Sequence, residues 1–156
     1  MNELTGQDVV SAIAIKLRNR FSKTEIAEIY KNKPMQSMVT PCAFIHLIED
    51  THTPDLANYA WWDRTLDIRF HPSKSCTNIN TWAQTLRPMI IECLEYITID
   101  GQEVKSRNIV CKVEDNVLHV VLNYKYRVMR KLEDVPDMET LIYGQAIKQT
   151  IVLSNK

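Results

Sequence analysis

The segment Tyr59-Ala60-Trp61-Trp62-Asp63-Arg64-Thr65-Leu66-Asp67-Ile68-Arg69-Phe70-His71 decides the fold. Trp62, Leu66, Ile68 and Phe70 fall on one side of an extended chain. Asp63, Thr65, Asp67 and Arg69 fall on the other, with Tyr59 and Trp61 at its start. Successive side chains of a strand point to opposite faces, so the alternation predicts a strand with one face packed and one polar. Arg64 breaks the apolar side, and Pro72 closes the strand.

Toward the C-terminus the period changes. Trp82, Leu86, Met89, Ile90, Cys93, Leu94 and Ile97 recur at helical spacing, which predicts a helix over Asn78–Tyr96. Pro88 lies inside it and is expected to kink it, because proline removes a donor and clashes with the preceding turn. Ile97–Gly101 reads as a short strand ending in Asp100-Gly101, a favoured hairpin pair. Val104–Val113 and Val117–Arg130 read as two further strands, joined by the turn Glu114-Asp115-Asn116. In the last strand Leu118, Val120, Leu122, Tyr124, Tyr126 and Val128 make an apolar face; His119, Asn123, Lys125 and Arg127 make the other. It is far longer than the usual ~5–6 residues, so it bends or projects beyond the core.

Toward the N-terminus, Thr51–Asn58 with Pro54-Asp55 reads as a loop. Before it, the run Cys42-Ala43-Phe44-Ile45-His46-Leu47-Ile48 within Pro41–Glu49 is apolar on both sides, as in a central strand. Glu25–Lys31 reads as a short strand. Val9, Ala12, Ile13, Leu17 and Phe21 predict a helix over 5–21, opened by a capping-box-like Thr5 and Asp8. Arg18 and Arg20 in its last turn complement the helix dipole.

Helix, three strands, helix and three strands give an α+β fold: a two-layer domain, a mainly antiparallel sheet with two amphipathic helices on one face. Residues 1–132 form this domain, and 133–156 form a linker and C-terminal arm. Two helices cover only one sheet face, so Tyr59 and Trp61 are left over, as are Ile147, Ile151 and Leu153 of the arm. Leftover apolar groups of this kind mark an interface. Lys125 and Arg127, on the polar face of the last strand, join them as candidate oligomer or partner contacts.

Composition excludes several function classes. Lys+Arg and Asp+Glu are both 19, and the resulting net charge of zero disfavours a protein that lives on phosphate contacts. Stacking of nucleic acid on Trp61, Trp62 and Arg64 is a weak alternative, because the alternation puts the two tryptophans on opposite faces. Cys42, Cys76, Cys93 and Cys111 are too far apart for a zinc site and read as free thiols of a reducing cytoplasm. With no phosphate-binding glycine loop and no nucleophile-elbow or metalloprotease motif, no enzyme, metal or cofactor is expected. An enzyme or ligand-binding domain would need His46, His71 and His119 to converge in a deep pocket. No secretion signal and no membrane span are expected.

The chain resembles the small tail terminator proteins of tailed phages, prophages and phage-tail-like bacteriocins of Gram-positive bacteria. The resemblance is carried by the N-terminal amphipathic helix, by Pro41-Cys42-Ala43-Phe44-Ile45 and by Leu66-Asp67-Ile68-Arg69-Phe70-His71-Pro72. It continues through Leu94-Glu95-Tyr96-Ile97, Asp100-Gly101, Asp115-Asn116-Val117-Leu118-His119, Asn123-Tyr124, Val128-Met129 and Met138-Glu139-Thr140-Leu141. The resemblance implies a virion structural protein, assembled in the host cytoplasm and sited at the tail and neck. It would form a homo-hexameric ring on the head-proximal end of the tail tube and stop tube polymerisation. It would then dock the neck or connector, and the sheath in a contractile particle. DNA would pass through the lumen without being read, and no cofactor is implied. A tail-completion or head–tail connector protein is the nearest alternative.

Overall fold

A computed structural model describes residues 6–31 and 38–129. In chain order it contains α1 (Gly6–Arg20), β1 (Glu28–Tyr30), β2 (Cys42–Pro54), β3 (Tyr59–His71), α2 (Ile79–Leu94), β4 (Tyr96–Ile99), β5 (Gln102–Glu114) and β6 (Val117–Met129). The strands form one six-stranded sheet in the order β1-β2-β3-β6-β5-β4. Every pair is antiparallel except β1 with β2. This is the expected α+β arrangement; the C-terminal arm lies outside the described residues.

Two tight turns set the register of the C-terminal half. Asp100 and Gly101 take φ of 52° and 78°, and Asp115 and Asn116 take 53° and 59°. Paired left-handed residues twist a two-residue loop the same way as the strands it joins, and Gly, Asn and Asp tolerate that conformation best. Consequently Ile99 faces Gln102, and Glu114 faces Val117.

The apolar faces meet as the periodicities predict. Val9, Ala12, Ile13 and Leu17 of α1 and Phe21 just after it are buried, as are Ala83, Leu86, Ile90 and Leu94 of α2. They cover Leu66, Ile68 and Phe70 of β3 and the alternate residues Leu118 to Val128 of β6. Burying each large aliphatic or aromatic side chain contributes about 1.5–3 kcal/mol, so this interlayer contact supplies most of the drive to fold. Two polar links cross it. The buried Tyr124 hydroxyl donates to the Leu94 carbonyl at 2.6 Å, closing the last turn of α2, and burial raises its pKa. The Cys93 thiol donates to the Lys16 carbonyl at 3.3 Å and ties α2 to α1. All four cysteines are free, and burial pushes the Cys42 and Cys93 thiols up to about 11.

Two expectations are corrected. The segment expected as a loop over Thr51–Asn58 is strand as far as Pro54, because β2 and β3 pair down to Pro54–Ala60. Pro54 is tolerated there because β1 covers β2 only from Cys42 to Phe44, so its missing N–H falls on a sheet edge. The expected strand over Glu25–Lys31 shrinks to Glu28–Tyr30. Its first residues belong to a turn in which the Glu25 and Ile26 amides donate to the Ser22 carbonyl. Pro88 lies inside α2, as its position in the sequence implies. Pro88 and Gln84, whose carbonyl loses its usual donor, are both exposed, so the loss falls on the solvent side. The helix begins where Asn78 caps it, its side-chain oxygen accepting from the Asn80 and Thr81 amides.

Candidate interaction surface

The sheet face turned away from the helices is built from the polar residues of β3 and β6. At the hairpin end, register places Tyr59 opposite Met129, Trp61 opposite Arg127 and Asp63 opposite Lys125. The cations lean along the strands onto the rings. The Arg127 guanidinium sits 4.1 Å from the Tyr59 ring centre, and the Lys125 ammonium 5.5 Å from that of Trp61. Four of the seven sequence-predicted contacts, Tyr59, Trp61, Lys125 and Arg127, are therefore one interleaved ladder. Its rings remain 37% and 36% exposed, so they are available to a partner. Ile147, Ile151 and Leu153 lie outside the described residues.

Asp55 completes the ladder, with two guanidinium nitrogens of Arg127 each 2.9 Å from one of its oxygens. The Leu56 amide, and then Arg127, hold its carboxyl below the usual carboxylate range. Sequence reasoning left Asp55 in a loop, since nothing local connects it to a strand 72 positions away. The β2–β3 hairpin makes the connection.

Further along the same face the polar groups neutralise one another. Asn123 donates to Asp63 at 2.6 Å and to Thr65 at 3.0 Å, and Arg107 reaches Asp63 at 3.3 Å. Asp67 is buried to 7% exposure, between Arg69 at 3.1 Å and Nδ1 of His119 at 3.2 Å. A buried carboxylate is costly unless paired, and these two partners answer that cost. His46 lies opposite Asp67 in register, and His71 follows on the same face. Burial first, and then the Arg69 charge, hold both imidazoles below their ordinary range, so both are neutral at pH 7. His46, His71 and His119 do share a face. They flank Asp67 and Arg69 on neighbouring strands, with His46 stacked on Phe44 and His119 engaged with Asp67.

Arg64, the residue that breaks the apolar side of β3, is fully buried on the core face. It pairs with Asp50 at 3.1 Å, directly across in register, and stacks 4.0 Å above Trp62. Stacking of nucleic acid on Trp62 and Arg64 is thus closed off, because the two stack on each other inside the protein. A groove of about 600 Å³ between α1 and α2 is lined by Lys16, Arg20, Glu92 and Cys93 among others. Its thiol is protonated and hydrogen-bonded, so it offers no nucleophile. Among the described residues no group of three or more His, Cys, Asp or Glu is arranged to hold a metal ion. No described helix is long and apolar enough to cross a membrane.

What this face offers is an exposed aromatic–cation ladder beside a self-neutralised polar network, which suits contact with a macromolecule. Comparison with known proteins identifies the family of the chain. No curated protein matches the chain. The family of phage tail terminator proteins matches residues 8–136, a span that takes in all six strands, α2 and all but the first residues of α1. The chain therefore belongs to the phage tail terminator protein family, a structural family of the virion tail.

Proposed function

We propose that the chain closes into a hexameric ring at the head-proximal end of the tail tube. The ring stops tube polymerisation there and presents the docking surface for the neck or connector, and for the sheath where the tail contracts. The family match, running through both layers of the domain, carries this reading. A ring is one heterologous contact repeated about an axis, so each subunit needs two different complementary patches. A stop signal needs a further asymmetry, since one side must fit the tube while the other refuses another tube subunit.

The ladder of Tyr59, Trp61, Lys125 and Arg127, with Ile147, Ile151 and Leu153 of the arm, makes contacts with neighbouring subunits or tail components in this proposal. DNA passes through the lumen unread, for which balanced charge is adequate. The role uses no bond-making chemistry, metal or cofactor. Assembly takes place in the host cytoplasm, and the protein remains at the tail and neck of the virion.

Deleting the gene tests the reading. Electron micrographs are expected to show tails of uncontrolled length. Tails of normal length that fail to join heads would assign the chain to the connector instead.

A further inference from the structure

Among the described residues the two long sides of the sheet are open. β1 covers β2 only from Cys42 to Phe44, and β4 covers β5 only from Gln102 to Lys105. Among the described residues no strand pairs with β2 from Ile45 to Thr51 on the side away from β3. None pairs with β5 from Arg107 to Glu114 on the side away from β6. Such edges present rows of unpaired amides and carbonyls, and proteins that stay monomeric blunt them with charges and bulges. Each edge here has one bulge, between Leu47 and Glu49 and between Ser106 and Asn108. Both edges nevertheless expose aliphatic side chains: Leu47 at 36% and Ile48 at 58% on one, and Val110 at 54% on the other.

The edges are complementary to each other rather than each to itself. The β2 edge carries Glu49 and Asp50, and the β5 edge carries Arg107 and Lys112 against one acid, Glu114. Asp50, Arg107 and Lys112 already have intramolecular partners, but 33%, 55% and 58% of their side-chain surfaces remain open. Direction fits as well. β2, β3, β6 and β5 each run antiparallel to the next, so β2 and β5 point opposite ways. Rotation about an axis along the strands preserves direction, so the β5 of one copy meets the β2 of the next antiparallel.

Resting on the ring reading above, we infer that the ring closes by strand pairing between copies. The β5 edge Arg107–Glu114 of one subunit adds to the β2 edge Ile45–Thr51 of its neighbour. The sheets then run on continuously around the axis. Both helices of every copy lie on one wall, and the polar face bearing Asp67, His119 and Asn123 lies on the other. The bulges restrict each edge to a strand shaped to accept them.

Two edge-blocked chains test this. Ile48→Lys disables the β2 edge and Val110→Lys the β5 edge; both positions are exposed, so both chains should keep the parental melting profile. In sedimentation, wild type forms rings, and each variant alone associates at least about tenfold more weakly. Mixed in equal amounts, the two variants have one working edge of each kind, and should give a heterodimer and nothing larger. Where a lysine variant unfolds, Glu49→Lys and Lys112→Glu replace it on the same edges.

Rings from either folded variant alone overturn the pairing. So does a mixture that stays monomeric, or a wild-type chain that is monomeric at every concentration. Failure of this inference and failure of the tail-stop reading are separable. Uncontrolled tail length on deletion, together with rings from both variants, removes only the edge pairing. Normal tail length on deletion, together with blocked rings, removes only the tail-stop role.

Discussion

Alternate residues of β3 and β6 build two faces with opposite physics. On the core face, Leu66, Ile68 and Phe70 meet Leu122, Val120 and Leu118 in register, each at most 1% exposed, under two helices. On the outer face Asp63, Asp67 and Arg69 meet Lys125, Val121 and His119, and the charges are answered locally by Arg107, Asn123 and one another. The first face gains from removing apolar area from water, which adds up without regard to direction. The second rests on ion pairs and hydrogen bonds that, the buried Asp67 excepted, each contribute little to stability at a surface. Damage to the core face should therefore read out as lost folding, and damage to the outer face as lost recognition. Substitutions on the same two strands can break that division.

The largest effect is expected at Leu122, 1% exposed in the middle of β6. Leu122→Asp puts an unpaired carboxylate among Leu66, Ile109 and the helices. That costs more than about 4 kcal/mol, a large part of the 5–15 kcal/mol that typically holds a domain together. The cooperative thermal transition should disappear. A variant that melts like its parent would show that the face assignment of β6 is wrong.

Arg64 tests whether the division holds where a charge sits on the core side. Its guanidinium stacks on Trp62 and pairs with Asp50, a residue that keeps a third of its side chain in water. Removing Arg64 therefore strands no fully buried carboxylate, and the loss is mainly packing. Arg64→Ala should cost about 2–3 kcal/mol, and Arg64→Met, which restores most of the stem volume, about 1 kcal/mol. Equal losses in chemical denaturation would make the charge, not the packing, the reason for the arginine.

The two faces were also unequally legible in the sequence. Alternation in Tyr59–His71 gave the strand to the residue, and it separated core from outer side chains on both β3 and β6, because burial on one face imposes a period of two. The hairpins at Asp100-Gly101 and Asp115-Asn116 were legible because few residues accept positive φ. The end of β2 beyond Glu49 was not. From Asp50 to Pro54 nearly all of its residues are exposed, so no hydrophobic period marks it; pairing with β3 alone makes it a strand. β1 was legible as a strand within Glu25–Lys31, but its three-residue length was not, because the parallel pairing to β2 sets it. On the site, Tyr59, Trp61, Lys125 and Arg127 could be named individually. Their interleaving, and the arrival of Asp55 and Arg107, depend on register across distant segments.

The smallest effect on stability, and the sharpest on function, is expected at Arg127. Its side chain is 44% exposed, its partner Asp55 is 27% exposed, and the Tyr59 ring beneath it is also open to solvent. Solvent screens such a pair, and removing it should lower the melting temperature by no more than a few degrees. If the ladder is a contact surface, truncation matters elsewhere. Arg127→Ala lets the Tyr59 ring change its orientation and removes a cation from the patch a partner would cover, and arginine and tyrosine are the residues whose loss most often weakens interfaces. The expected result is a folded chain with parental melting that is recovered poorly on purified tails. Lys125→Ala should act in the same direction through Trp61. A variant recovered on tails at the parental level would remove the ladder from the interface. The outer face would then be a solvated surface at this end, and recognition would fall to the open strand edges.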